Sequence, residues 1–183
     1  RVLSMKIEYY DDPWNHYQVT DFLTEEEFNI VRDYHVNNVK PLEEGRNVFR
    51  VSLISEEIRS ILSKRMYELA AQVDPEHDNS NCEMNIEMHT IQPDWEHSVH
   101  RDISVKKITF VLDVSAEGNG TRLYKTKDGP IVKTMPWIVN GGGGFIRSDS
   151  TWHSFDTHGG TEPRRTIILN IMNATGQWWN GNK

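Results

Sequence analysis

The residues with the most chemical potential are His100-Arg101-Asp102, then His153 within Thr151-Trp152-His153-Ser154-Phe155, then Arg164-Arg165-Thr166. Two histidines and one carboxylate are the ligand set that holds a non-haem ferrous ion by one face, leaving other positions for substrate and oxygen. A downstream arginine can pair with the carboxylate of an acidic co-substrate. His100 and Asp102 are two residues apart, so on a strand both side chains point to the same face. His153 must then arrive from a later strand. With 8 His and 12 Asp in 183 residues, chance supplies a His-x-Asp about half a time. The weight therefore rests on the order in which His100-x-Asp102, His153 and Arg164 occur.

Other histidines compete as ligands. His97, three before His100, is expected to face differently on a regular strand. His89 falls one strand earlier and is placed to line the same cavity. His158 reads as solvated, and His16, His35 and His77 as scaffold or surface residues. The ligands alone are also compatible with zinc, but Cys82 is the only cysteine, so cysteine ligation has no partner and no intrachain disulfide can form.

The elements that must position these residues divide the chain in two. Thr24-Glu25-Glu26-Glu27 is a capping box, and the helix it opens is predicted to end near Asn37-Asn38. A second helix is predicted from about Ser55 to Gln72, with Ile58, Ile61, Leu62, Met66, Leu69 and Ala70 as its apolar stripe. From Cys82 the character changes to short alternating segments, predicted as strands at 83–91, 97–102, 105–114, 121–125, 130–134, 143–147, 151–155 and 164–172. Between Asp102 and His153 there is room for about four strands with their turns. The pattern is mainly β with N-terminal helices: a double-sheet jelly roll with helices packed on one sheet. Helical support is assigned to about 20–75 and the β core to about 82–173, within one domain of 1–183. Gly141–Gly144 lacks the Lys-Ser/Thr of a phosphate loop and is read as a tight turn with positive φ.

A net charge of −7 repels phosphate backbones and argues against general nucleic-acid binding. Lys106, Lys107, Arg122, Lys125 and Lys127 are read as solvated strand faces. No run has the apolar length of a membrane span and no signal-peptide pattern is visible, so a cytoplasmic location is expected. Residues 1–4, ahead of Met5, read as a processing remnant. The segments 11–15 and 74–81 are read as ordinary surface loops, with a lid as the alternative. Trp178-Trp179 is read as packed or as a contact patch, and oligomeric state is not legible.

Taken together, His100-x-Asp102, Lys107–Asp113, Gly120–Tyr124, Phe145, Trp152–Phe155 and Arg164–Asn170 resemble the Fe(II)- and 2-oxoglutarate-dependent oxygenases, in particular their small prolyl-4-hydroxylase-like members from phages and bacteria. The resemblance covers about residues 82–173. It implies a double-stranded β-helix, a cupin-like jelly roll, with iron on His100, Asp102 and His153 and with Arg164 on the distal carboxylate of 2-oxoglutarate. The family often has Arg-x-Ser there; Arg164-x-Thr166 keeps a hydroxyl on the same face. Alternation allows only one of Arg164 and Arg165 to point inward, and the Arg-x-hydroxyl register favours Arg164. Many relatives carry a co-substrate tyrosine before the metal motif. Here Met88–Pro93 has none, and His89, Thr90, Gln92 and Tyr124 are the candidates to replace it.

The implied activity is a dioxygenase that hydroxylates an unactivated C–H bond while molecular oxygen converts 2-oxoglutarate to succinate and carbon dioxide. Peptidyl proline is the first substrate class, and a small molecule the second. Two other readings stand beside it: a cupin-like metalloenzyme that ignores 2-oxoglutarate, and a non-catalytic jelly-roll binding or virion module.

Overall fold

The computed structural model describes residues 5–40 and 47–173; the expectations for residues 1–4 and Trp178-Trp179 lie outside them. Along the chain, β1 (Lys6–Tyr10) and β2 (His16–Thr20) form an antiparallel hairpin. Then come α1 (Glu25–Asn38), β3 (Val48–Val51) and α2 (Glu56–Val73). The β-rich part follows as β4 (Met84–Ile91), β5 (Glu96–His100), β6 (Lys106–Asp113), β7 (Arg122–Tyr124), β8 (Ile131–Thr134), β9 (Gly141–Ile146), β10 (Trp152–Asp156) and β11 (Arg164–Met172).

Both helices begin where their caps dictate. The Thr24 hydroxyl accepts from the Glu27 amide at 3.2 Å, and Glu27 Oε2 accepts from the Thr24 amide at 2.9 Å, so two otherwise orphaned donors are satisfied reciprocally. Ser55 accepts from the Ile58 amide and starts α2. Arg65 of α2 then grips Glu27 through Nε and Nη2, at 3.0 and 2.9 Å to Oε2, tying the two helices together.

A seven-stranded sheet has the order β1-β2-β9-β6-β11-β4-β3, and a four-stranded sheet the order β5-β10-β7-β8. All these strand pairings are antiparallel. Strands β4 to β11 alternate between the two sheets except at the β7–β8 pair, which stays within the small sheet, the layout of a double-stranded β-helix. On the outer face of the large sheet, Ile86, Met88, Ile108, Phe110, Leu112, Ile167, Leu169 and Ile171 are buried against Phe28, Val31, Ile58, Leu62, Met66 and Leu69 of the helices. Each such side chain contributes about 2 kcal/mol by leaving water. The inner face carries Asn85, Glu87 and His89 of β4, Thr109 and Val111 of β6, and Arg164, Ile168 and Met172 of β11. Strand alternation thus gives helix support to one face and leaves the other to the inter-sheet cavity.

Three features depart from the sequence reading. The N-terminal part is not helical scaffold alone: β1–β2 and β3 extend both ends of the large sheet. The expected glycine turn at Gly141–Gly144 is instead part of strand β9, which extends the strand predicted at 143–147 and lies between β2 and β6. Its glycines answer to crowding rather than to a turn. A Cβ on Gly142, at φ 143°, would lie 2.0 Å from the Val111 carbonyl, and one on Gly143 2.0 Å from Met135 Sδ. Finally, β5 stops at His100, so Asp102 lies beyond the strand and not on it.

Candidate metal centre

His100 closes β5 and lies opposite His153 of β10 in the antiparallel register. Each ring is oriented by its own backbone: Nδ1 of His100 reaches the Ser98 carbonyl at 2.9 Å, and Nδ1 of His153 the Thr151 carbonyl at 2.9 Å. A carbonyl can only accept, so both Nδ1 atoms carry the proton and both Nε2 lone pairs are free. Both Nε2 atoms face the same oxygen, Asp102 Oδ1, each at 3.9 Å. One potential ligand atom from each residue falls within 4.8 Å of the others. Burial lowers the pKa of both imidazoles, that of His153 to about 4, although the Asp102 carboxylate pulls the other way on each. Neutral imidazole is the form that ligates.

Asp102 is buried in the segment after β5. Its carbonyl accepts from Arg147 Nε at 3.2 Å, its Oδ2 from the Thr109 hydroxyl at 2.9 Å, and its Oδ1 from Lys106 Nζ at 3.2 Å. Burial pushes this carboxyl up, but Lys106, His153 and Thr109 outweigh it and hold it below the ordinary aspartate value. The group is therefore ionised at neutral pH. Two Nε2 lone pairs and one carboxylate converge, with Lys106 Nζ on the shared oxygen, and this donor set fits a divalent ion with open positions.

The triad opens into a cavity of about 330 Å³ between the sheets, lined also by Phe145, Phe155, Val111, His89 and Arg164. Arg164 is 4% exposed. Its guanidinium lies 4.3 Å from the Phe155 ring centre and 5.2 Å from that of Trp137, and its Nε donates to the Asn119 carbonyl at 3.0 Å. Burial lowers its pKa to about 10, with Asp113 and Asp156 opposing, so it keeps its charge. Thr166 Oγ1 is within 3.4 Å of Arg164 Nη1 and is fully buried, though it does not line the cavity. Arg165 turns to the helix side, where Nη1 donates to Thr90 Oγ1 and the Val39 carbonyl. His89 lines the cavity with Nε2 at 2.9 Å from Glu87 Oε2.

Tyr124 does not line the cavity. Alternation on β7 sends Leu123 inward and Tyr124 to the other face, where its hydroxyl meets Ser154 Oγ at 2.8 Å. Thr90 likewise faces the helices and donates to the Val39 carbonyl. His97 corrects the expectation in the opposite sense. The register between β5 and β10 shifts between His153 and Phe155, so two residues of β5 span the length of one on β10. That bulge returns His97 to the cavity face, with its ring centre 4.2 Å from that of His100. Of the partners of the Asp102 carboxylate, Lys106, expected on a solvated strand face, turns instead to Asp102, and Thr109 is absent from the sequence reading. The signal available was a polar residue interrupting an apolar strand, Ile108-Thr109-Phe110.

No protein-family model matches this sequence, and no curated protein matches it. Solved structures do. A prolyl hydroxylase from Trichoplax adhaerens, in complex with a hypoxia inducible factor oxygen degradation domain peptide fragment, matches with a TM-score of 0.67 at 12% identity, over 91% of this chain and 87% of that one. A Pseudomonas putida prolyl-4-hydroxylase matches with 0.60 at 13% identity, over 87% and 92%. A viral collagen prolyl hydroxylase from Paramecium Bursaria Chlorella virus-1, in its 2-oxoglutarate complex, matches with 0.57 at 14% identity, over 88% and 97%. At this identity the likeness is one of fold: the chain has the jelly roll of the prolyl hydroxylases.

Proposed function

We propose that the protein is an Fe(II)- and 2-oxoglutarate-dependent dioxygenase that hydroxylates an unactivated C–H bond, with a proline-containing peptide as its substrate class. The observation that carries this reading is the pair of proton-free Nε2 atoms, on His100 and His153, aimed at one oxygen of an ionised Asp102. A buried arginine shares their cavity.

His100, Asp102 and His153 would hold the ion. Arg164 would anchor the distal carboxylate of 2-oxoglutarate; the cation is buried where water competes little, so the pairing gains strength. Thr166 supports the Arg164 guanidinium from the same strand face. Phe145 and Phe155 line the cavity and exclude water from the reacting carbon. When bound, iron with 2-oxoglutarate supplies oxidation of C–H by dioxygen, giving the alcohol, succinate and carbon dioxide. The peptide class is supported by the Trichoplax structure of the same fold, which holds a peptide fragment.

The test is anaerobic addition of Fe(II), then 2-oxoglutarate, to metal-free protein, followed by visible absorption. A charge-transfer band that needs both additions and is lost in His153→Ala is the expected result. Metal binding without such a band would overturn the 2-oxoglutarate assignment. Succinate release stimulated by proline peptides would then test the substrate class.

A further inference from the structure

Asp102 lies two residues beyond the end of β5, so no ladder hydrogen bond fixes its side chain direction. Something else must decide which carboxylate oxygen meets an ion. Oδ2 is taken by Thr109 Oγ1 at 2.9 Å, and Oδ1 is the oxygen both imidazoles face. Behind Thr109 stands a row of polar side chains on three neighbouring strands. Asn170 of β11 lies directly opposite Thr109 of β6 and also directly opposite Asn85 of β4. Thr109 Oγ1 is 3.0 Å from Asn170 Oδ1, and Asn170 Nδ2 is 3.2 Å from Asn85 Oδ1.

A threonine hydroxyl has one proton to give. The ionised carboxylate is the stronger acceptor, so the proton goes to Asp102. Asn170 Oδ1 would then be a second acceptor facing a hydroxyl with no proton left. Turning the Asn170 and Asn85 amides over, which exchanges O and N at the same positions, lets Asn170 donate to Thr109 and accept from Asn85. The result is a one-way chain of donors, Asn85 to Asn170 to Thr109 to Asp102. Asparagine is disfavoured in strands, and Asn170 and Thr109 are 1% and 3% exposed, each flanked along its strand by buried apolar residues such as Ile108, Phe110, Leu169 and Ile171. A sheet needing only stability would fill these positions with valine or isoleucine.

We infer that Thr109, held by Asn170, is a positioning residue that turns Oδ1 of Asp102 toward the ion. The inference rests on the iron site proposed above and adds the residues that orient its carboxylate. Outer partners of this kind change metal affinity by about 10- to 100-fold.

The experiment is titration of metal-free protein with Co(II), read by visible absorption, alongside the thermal midpoint without metal. Thr109→Val keeps the side-chain shape and removes the donor. It should weaken Co(II) binding by about 10- to 100-fold while the metal-free midpoint stays near wild type. Thr109→Ser, which keeps the hydroxyl, should restore wild-type affinity. Equal affinity in Thr109→Val, or no rescue by serine, would overturn the inference. If Thr109→Val does not fold, Asn170→Val breaks the chain one link back, and unchanged Co(II) affinity there overturns it equally. Failure of the wild-type protein itself to bind Co(II) would instead remove the metal site, an outcome separate from the loss of Thr109's role.

Discussion

Arg164 and Arg165 are adjacent in sequence yet end on opposite faces of the large sheet, one in the cavity beneath Phe155 and the other against α1. The functional consequences of replacing them should separate accordingly. Arg164→Ala should raise the 2-oxoglutarate dissociation constant by at least about 30-fold, the equivalent of about 2 kcal/mol for a charge-assisted pair. Arg165→Ala should leave that constant unchanged and lower stability by about 1 kcal/mol, since Thr90 and Val39 lose their donor. Calorimetric titration and denaturant unfolding of both variants check this. Weaker co-substrate binding in Arg165→Ala would contradict the assignment.

Lys106 competes with any cation for Asp102, because its Nζ lies 3.2 Å from the oxygen that faces both histidines. An incoming divalent ion must displace it. Lys106→Met should therefore tighten metal binding by about fivefold, about 1 kcal/mol. The same change should destabilise the metal-free protein, which loses the partner of a buried carboxylate. Metal titration and the metal-free thermal midpoint should thus move in opposite directions.

Acid should weaken the fold through His35. Burial beneath Thr166 and Arg165 lowers its pKa from 6.5 to about 4. Between those values the unfolded chain binds the extra proton, so stability falls as pH drops from 6.5 toward 4, by on the order of 3 kcal/mol in all. Asp113 acts in the opposite sense. Burial raises its pKa from 3.8 to about 7, so the folded chain holds the extra proton in that window and this contribution is lost as pH rises through it. Denaturant unfolding across pH 4–7 should show a steeper loss toward acid in Asp113→Asn and a shallower one in His35→Gln.

Gly142→Ala should cost about 3 kcal/mol or more, or prevent folding, because the added methyl meets the Val111 carbonyl at 2.0 Å on a backbone with φ 143°. Gly159→Ala is the control: its φ is 76°, but nothing lies within 4 Å. It should cost no more than the backbone strain, about 1 kcal/mol. Thermal midpoints of the two variants give the comparison.

What was legible in the sequence follows from what side chains can signal. Thr24 and Ser55 mark the helix starts because capping is local. β4, β6 and β11 were legible because their alternation sorts a helix-facing side from a cavity side, and so Arg164 could be told from Arg165. β9 was legible only in part: the pattern predicts a strand at 143–147, but its first glycines have no hydrophobic period and read as a turn. β2 was missed although His16, Gln18 and Thr20 alternate with Tyr17 and Val19, because five residues are too short a run to stand out beside the helical signals that follow. His97 was misjudged because a bulge, invisible in sequence, resets the register. Thr109 was missed because its contact with Asp102 depends on where the chain goes after β5 ends.

The hairpin of β1 and β2 has a role that its distance from the metal ligands hides. With β2 in place, the peptide groups of β9 are paired on both sides, to β2 and to β6. Without it, β9 would become the border of the large sheet, and its Gly141–Gly144 stretch carries no charged side chain to deter a second molecule from pairing onto it. Proteolytic loss of the first 20 residues would therefore leave the proposed ligands untouched in sequence, yet turn the protein into a template for aggregation. Solubility, rather than catalysis, is where that loss should show first.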